Sequence, residues 1–104
     1  MKKELQERLL KFRDDRGWKK FHSAQNLSHA LMVEAGELGQ LFLWRKNEKN
    51  LKHIALEIAD VQIYLFYLAD LFSLDLDKVV EMKIHQNRKK YPKRKSSSKY
   101  GWKV

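Results

Sequence analysis

The sequence contains no cysteine, one proline and four glycines, and it has no long hydrophobic run. Without cysteine there is no disulfide, no thiolate nucleophile and no sulfur-ligated metal site. The longest unbroken apolar run is Ile63 to Ala69, seven residues, whereas a membrane-spanning helix needs about 20. The first residues show no apolar stretch of the signal-peptide type. These absences exclude a transmembrane span and predict a cytoplasmic protein.

The net charge of +9 is confined to one end of a 104-residue chain whose apolar fraction, 43%, fits one globular domain. Residues 1 to 82 carry thirteen basic and thirteen acidic side chains, whereas residues 83 to 104 carry nine basic and none acidic. Such a segment can attract nucleic acid or a small phosphate ligand, or be a solvated terminus. On charge alone the solvated terminus is the favoured interpretation. Binding of nucleic acid and binding of a small phosphate ligand are equally favoured behind it. Because three serines follow Pro92, we expect a helical domain over residues 1–92 and a basic, flexible tail over residues 93–104.

Apolar residues recur at helical spacing in four segments, and there is no alternating strand pattern. Gly17 should end the first segment, while Asn26 and Asp75 are suited to cap the second and the fourth. The third is apolar almost all round and should be the most buried. The predicted helices run to about Arg16, from Asn26 to about Arg45, from Leu51 to about Phe72 and from Leu76 to about Lys90. We therefore expect an all-α protein with a four-helix arrangement.

Two acidic residues lie in the apolar stripe of the second predicted helix. Because each helical residue turns 100°, Leu27, Ala30, Leu38 and Leu41 fall within about 40° of Glu34. Glu37, three positions further on, lies about 60° from Glu34 on the same side. Charged carboxylates in an apolar face cost several kcal/mol each unless they are paired or bind a cation.

The third predicted helix repeats this pattern with Glu57 and Asp60, again three residues apart among apolar side chains. In an antiparallel hairpin centred near position 47, Glu34 stands level with Asp60 and Glu37 level with Glu57. Four converging carboxylates repel one another, and a hard divalent cation relieves that repulsion. An all-oxygen site suits Mg²⁺ or Mn²⁺ better than Zn²⁺. The alternative is a set of surface carboxylates paired to lysines, but two matched pairs facing the core favour the metal site.

The spacing also disfavours a di-iron centre, which would need Glu-x-x-His on two helices. Further along, Lys83, Asn87 and Tyr91 form an i, i+4, i+8 row on one helical face. Lysine suits a phosphate, asparagine a base edge or a sugar hydroxyl, and tyrosine a phosphate oxygen. A ligand-binding role for this row and a merely solvated helical face are about equally favoured by the sequence.

Several other residues have both a functional and a structural reading. Trp18 and Trp44 could stack a base near a metal-phosphate site, although most tryptophans are core or interface residues. His22 and Asn26 could hydrogen-bond a nucleotide, but a loop histidine and a helix cap are the plainer assignments. Glycines at 36 and 39 weaken the second helix by about 1 kcal/mol each relative to alanine, which suggests a closely packed partner helix.

These residues together resemble the MazG-like nucleoside triphosphate pyrophosphohydrolases, and within that all-α superfamily the dCTP pyrophosphatase branch. The resemblance covers about Phe12 to Pro92. The matching motifs are Trp18-x-x-Phe21-His22, Asn26-Leu27, Glu34-Ala35-Gly36-Glu37-Leu38, Leu41-Phe42-x-Trp44, Glu57-x-x-Asp60-Val61-x-Ile63-Tyr64-Leu65 and Lys83-x-x-x-Asn87-x-x-x-Tyr91-Pro92.

The resemblance implies hydrolysis of a nucleoside triphosphate, including dCTP or a modified pyrimidine nucleotide, to a monophosphate and pyrophosphate. It implies a homodimer, or a tetramer built from dimers, whose ligand is a nucleotide and not nucleic acid. Glu37, or else Glu34, would activate water. The implied Mg²⁺ ligands, with Mn²⁺ as a substitute, are Glu34, Glu37, Glu57 and Asp60. The implied substrate-binding residues are Trp18, His22, Asn26, Trp44, Lys83, Asn87 and Tyr91.

Two other classes of function fit parts of the pattern. A non-catalytic basic helical module would bind nucleic acid through its tail, with strong salt dependence. A structural helix-bundle subunit would use its acidic pairs only to fix helix register. Metal ions would then change neither its stability nor its ligand binding.

Overall fold

The computed structural model describes residues 1–43 and 49–93, and across these ranges the chain is all-α, as predicted. It divides into two compact units, Met1–Leu74 and Asp75–Val104. In its described residues the first unit contains three α-helices and one short 3₁₀-helix, and the described part of the second contains one α-helix. The helices are α1, Lys3–Asp15, α2, Ala24–Leu43, α3, Leu51–Leu71, and α4, Leu76–Lys90, with the 3₁₀-helix at Lys19–Phe21. No helix within the two described ranges is long and apolar enough to span a membrane.

The helix ends follow the sequence signals with one correction. Gly17 adopts a φ of 68° just after α1, a left-handed conformation that glycine tolerates best. Asn50 and Asp75 cap α3 and α4 through their side chains. The expected cap of α2 was wrong: Ser23 Oγ accepts the Asn26 backbone N–H at 3.0 Å. Asn26 therefore lies in the first turn, where its side-chain amide donates to the Phe21 carbonyl.

The third helix is the most buried, as its sequence predicts. Phe66, Tyr67 and Ala69 on α3 are buried, and Leu27 of α2 packs with the first two of them. Burying a large apolar side chain such as Phe66 or Leu27 contributes roughly 1.5–3 kcal/mol. The same face of α3 therefore anchors both α2 and α1.

Two long-range polar contacts fix α1 on α3. The buried Arg13 guanidinium donates to Asp70 at 3.2 Å and to its neighbour Asp14 at 2.9 Å. Burial alone would lower the pKa of Arg13, but the two carboxylates hold it above its ordinary value. The Tyr67 hydroxyl donates to the Leu9 carbonyl at 2.8 Å. These contacts set the space between α1 and α3.

Much apolar surface of α2 and α3 stays exposed in the first unit. Met32 and Leu43 are each 66% exposed, and Leu56 and Ile58 are more than half exposed. The two glycines at positions 36 and 39 have open space where a Cβ would lie. Nothing in the described part of the chain provides the close helix partner expected there.

The second unit begins with the Asp75 cap and consists of α4 in its described part. Three basic residues, Arg88, Lys89 and Lys90, occupy the last turn of α4. Cations at that end interact favourably with the helix dipole. Residues 94–104 of the predicted tail lie outside the described ranges.

Candidate metal centre and adjoining cavity

Glu34 and Glu37 of α2 meet Glu57 of α3 in the first unit. One carboxylate oxygen from each lies within 4.8 Å of the other two. The i, i+3 spacing puts the first two on one face of α2, and the pairing of α2 with α3 brings the third across. The hairpin inferred from the sequence therefore does bring carboxylates of both helices together.

These carboxylates do not compensate one another. Oε2 of Glu34 and Oε2 of Glu57 are buried and have no hydrogen-bond partner in the structure as described. Burial raises the pKa of Glu34 above its ordinary value, and so do the charge of Glu37 and a side-chain hydrogen bond with it; the charges of Asp60 and Glu57 add smaller effects. A cation would bind the unpartnered oxygens and offset this repulsion.

The donor set fits a hard divalent ion. All three converging groups offer oxygen, which suits Mg²⁺ and Mn²⁺. Glu34 and Glu57 each have one buried oxygen without a hydrogen-bond partner among the described residues, so each can offer a ligand atom. The residues can thus hold the metal that the resemblance implies.

Asp60 is placed differently from the other three acids. It is close enough for its charge to raise the pKa of Glu34, yet it lies outside the group of three. The Asp60 side chain is exposed and lines a neighbouring cavity. Of the four predicted ligands, three form the cluster and the fourth borders it.

The neighbouring cavity has a volume of about 340 Å³ and lies between α1 and α3. Trp18 contributes to its wall and packs edge-to-face on Phe12, with ring centroids 5.6 Å apart. His22 stacks at a tilt on Tyr67 at 4.9 Å. The lining residues are Leu9, Phe12, Trp18, His22, Asp60, Ile63, Tyr64 and Tyr67. Such aromatic walls suit a flat heterocycle, and this aromatic cavity adjoins the carboxylate cluster at Asp60.

A second cavity of about 270 Å³ shares Trp18, His22 and Tyr64 with the aromatic cavity. Of the two cavities, the second is the one to which Asn26 contributes. Nδ1 of His22 is buried and has no partner within residues 1–43 and 49–93. Burial, and then the nearby charge of Arg13, lowers the pKa of His22. The ring is therefore suited to act as a neutral hydrogen-bonding group where the two cavities meet.

The remaining predicted site residues are Trp44, Lys83, Asn87 and Tyr91. Trp44 is outside the described ranges. The row of Lys83, Asn87 and Tyr91 belongs to the second unit, where α4 carries the first two and Tyr91 caps its C-terminus. The Tyr91 N–H donates to the Asn87 carbonyl at 2.8 Å.

Sequence reasoning missed some residues of the site. Tyr64 and Tyr67 line the aromatic cavity but read in the sequence as part of an apolar core. Their place one and two turns after Asp60, on the same helical face, was the available signal. His53, one turn before Glu57, was also missed: its Nε2 lies 3.7 Å from Glu57 Oε1.

Comparison with known proteins agrees with this architecture. Residues 24–102 match the model of the MazG-like family. The chain is 36% identical to dCTP pyrophosphatase 1 of Bos taurus over 101 residues, which cover 86% of this chain and 60% of that protein. The corresponding Homo sapiens protein is 37% identical over 101 residues, with 86% and 59% covered. The chain thus spans about three fifths of the length of these curated relatives.

A solved structure shows a similar fold. A pyrophosphatase from Archaeoglobus fulgidus DSM 4304 superposes with a TM-score of 0.81 at 37% sequence identity. The superposition covers 86% of this chain and 91% of that one. The two proteins therefore share their fold over most of both chains.

Proposed function

The chain belongs to the MazG-like family, and on that premise we propose that it is a nucleoside triphosphate pyrophosphohydrolase. The proposed reaction cleaves the bond between the α and β phosphates and releases a monophosphate and pyrophosphate. The relatives named dCTP pyrophosphatase 1 support dCTP, or a modified pyrimidine nucleotide, as substrate. The proposed location is the cytoplasm, on the sequence pattern alone.

The observation that carries the proposal is the cluster of Glu34, Glu37 and Glu57. Three acids converge from two helices, and two of their oxygens are buried without partners among the residues that the structure describes. Repulsion between them works against folding, so a purely structural role leaves the arrangement unexplained. A divalent cation and a polyphosphate account for it.

The proposed Mg²⁺ ligands are Glu34, Glu37, Glu57 and Asp60, with Mn²⁺ as a substitute. A bound ion of this kind would neutralise triphosphate charge and lower the pKa of a water molecule. Glu37, which is more exposed than Glu34, is our choice for orienting and deprotonating that water, with Glu34 second. Phosphoryl chemistry relies on positioning and charge neutralisation, so no covalent nucleophile is required.

The aromatic cavity is the proposed place for the base. Trp18 would stack it, and Trp44 would enclose it, as the resemblance implies. His22 and Asn26 offer hydrogen bonds at the two cavities. For the second unit we propose that Lys83 and Tyr91 bind phosphate and that Asn87 reads the base.

We also propose that the chain acts as a homodimer or as a dimer of dimers. The support is the exposed apolar surface of α2 and α3, which includes Met32 and Leu43. In a symmetric oligomer, a second copy of the chain would cover this apolar surface. Analytical ultracentrifugation should give at least a dimer, and Met32→Lys should shift the protein toward the monomer; a monomeric wild type would contradict this part.

The test of the reaction is pyrophosphate release from a panel of ordinary and base-modified nucleoside triphosphates. We expect release with Mg²⁺ or Mn²⁺, none with chelator, and a fastest rate with a cytosine nucleotide. Chromatography should identify the monophosphate as the second product. Release of inorganic phosphate instead of pyrophosphate would contradict the proposed bond.

No release from a folded protein would favour the basic nucleic-acid-binding module. That alternative predicts oligonucleotide binding that weakens with salt and is lost when residues 93–104 are removed. The proposed enzyme, in contrast, should bind triphosphates in a metal-dependent way. Comparing both ligands on the same preparation separates the two functions.

A further inference from the structure

His53 stands beside the carboxylate cluster, and the proposed Mg²⁺ centre gives it no role. It lies one helical turn before Glu57, and its Nε2 is 3.7 Å from Glu57 Oε1. That distance is too long for a hydrogen bond. The other oxygen of Glu57, Oε2, is buried and has no hydrogen-bond partner among the described residues. The carboxylate of Glu57 thus has two oxygens in different surroundings, one of them beside the imidazole.

The start of α3 holds His53 at this position. Asn50 caps the helix, and its side chain accepts the His53 backbone N–H at 3.0 Å. The His53 side chain is 48% exposed, so an ion can reach it from solvent. Residues four apart share one helical face, and in metalloprotease helices the same spacing lets two side chains bind one zinc ion. His53 therefore has both the spacing and the accessibility of a metal ligand.

The gap between the two side chains is close to the spacing of neighbouring ligands around one ion. With nitrogen and oxygen ligands at about 2.0–2.2 Å, adjacent ligands of an octahedral or tetrahedral ion lie about 2.8–3.6 Å apart. A small rotation of the exposed imidazole would close the observed 3.7 Å to that range. The pair can thus bind a cation without any movement of the backbone.

An imidazole changes which cation the centre prefers. Mg²⁺ takes oxygen ligands and keeps several waters. Imidazole nitrogen suits transition metals, for which affinity at a given site rises from Mn²⁺ through Co²⁺ to Ni²⁺. A centre that adds one nitrogen to its glutamate oxygens should therefore favour Co²⁺ over Mg²⁺ more strongly than an all-oxygen site does.

We propose that the His53 imidazole joins Glu57 as a nitrogen ligand of a divalent transition-metal ion, and so makes the centre selective for such ions over Mg²⁺. This inference rests on the proposed metal centre and extends its donor set beyond the three glutamates. Because Mg²⁺ makes little use of a nitrogen ligand, loss of His53 should change which ion binds best. It should not abolish metal binding.

The test is calorimetry with Mg²⁺ and with Co²⁺ on the full chain, for wild type and His53→Ala, without nucleotide. A fixed, mildly alkaline pH is used because metal ions bind the neutral imidazole. Loss of a group that merely orients a ligand weakens metal affinity by roughly 10–100-fold. Loss of the ligand itself should weaken Co²⁺ binding by at least about tenfold, with Mg²⁺ affinity within about twofold of wild type. The visible absorption of bound Co²⁺, which depends on its ligands, should also change.

Two further variants serve as controls. His29→Gln removes another exposed histidine, about 140° around α2 from Glu34, and should keep both affinities. Glu57→Gln removes a shared ligand and should weaken both ions. Circular dichroism of each variant checks that the helices are intact.

Three results would overturn the proposal. The first is an unchanged Co²⁺ affinity in His53→Ala. The second is an equal loss of Co²⁺ and Mg²⁺ in that variant, because His53 would then act through the position or charge of Glu57 and not as a ligand. The third is an equal loss of Co²⁺ in His29→Gln, which would show adventitious binding to surface histidines.

The proposed reaction can fail independently of this ligand. If wild type releases no pyrophosphate but the preference for Co²⁺ falls in His53→Ala, the enzyme assignment is wrong and the nitrogen ligand stands. If pyrophosphate is released and the metal preference does not change in His53→Ala, the reaction stands and the nitrogen ligand is wrong.

Discussion

The carboxylate cluster and the aromatic cavity are neighbours that were assembled in different ways. The cluster joins two consecutive helices through acidic pairs at i, i+3 spacing, so its geometry follows from helix periodicity and one hairpin. The cavity needs α1, the loop with Trp18, and α3, whose residues are about fifty positions apart in the chain. It exists because the Arg13 and Tyr67 contacts hold α1 on α3.

Their unpaired polar atoms differ in the same way. In the cluster, buried Glu34 and Glu57 oxygens face like charge, which indicates a cation. In the cavity, the buried Nδ1 of His22 belongs to a ring whose pKa is lowered, which indicates a neutral hydrogen-bonding role. Metal binding at the carboxylate cluster and base binding in the aromatic cavity therefore depend on different residues. Single variants should affect one without the other.

The largest effect is expected from Glu37→Gln. Loss of the proposed water-activating carboxylate should lower pyrophosphate release by roughly 10²–10⁴-fold, while circular dichroism stays unchanged. Wild-type turnover by this variant would refute the role of Glu37.

Glu34→Gln should raise the melting temperature at pH 7 in chelator, because it removes a charge that burial and neighbouring acids disfavour. Because the pKa of Glu34 is raised in the folded protein, its protonated form stabilises the fold at pH values below its unfolded pKa. That stabilisation is lost as the pH rises through the folded pKa. The advantage of the Gln variant over wild type should therefore vanish at about pH 4.

Arg13→Met should have the next largest effect, on stability. It removes part-buried hydrogen bonds to two carboxylates, which costs roughly 1.5–3 kcal/mol and loosens α1. Urea unfolding should show this loss, and KM for the nucleotide should rise because α1 walls the cavity. Arg8→Ala, at an exposed position of the same helix, is the control and should stay near wild type.

Trp18→Ala should act on binding more than on chemistry. Loss of one stacking surface corresponds to about a tenfold rise in KM, with kcat within about twofold. The Mg²⁺-dependent thermal shift should persist, since the cluster is untouched. Phe21 lines the second cavity and not the aromatic cavity, so Phe21→Ala should leave KM near the wild-type value. A larger effect there than at Trp18 would assign the base to the second cavity.

Tyr67→Phe should have the smallest effect. It removes the hydroxyl that donates to the Leu9 carbonyl, and one such bond contributes about 1 kcal/mol. A melting temperature lower by about 4–8 °C is expected for a domain of this size, with little change in metal binding. An unchanged melting temperature would show that α1 is held by Arg13 and apolar packing alone.

The sequence predicted much of this molecule because its signals were local. The bounds of α3 and α4, the Asp75 cap and the convergence of the glutamates all follow from spacing within a helix or across one hairpin. The cap of α2 was misassigned because Ser23 and Asn26 are both good capping residues, and the choice depends on where the 3₁₀-helix ends. Tyr64 and Tyr67 were missed because an aromatic residue in a buried helix looks the same in sequence whether it fills a core or walls a cavity.

The sequence by itself determined the helices, the acidic pairs and the family resemblance. Helix periodicity fixes which side chains share a face, whatever the rest of the chain does. The tertiary structure alone decided that Asp60 lines a cavity and that Arg13 is buried. It also decided that His22 keeps a nitrogen without a partner in the described part of the chain. These features depend on packing between segments that are distant in the chain. The free energy of that packing cannot be inferred from the sequence of any one segment.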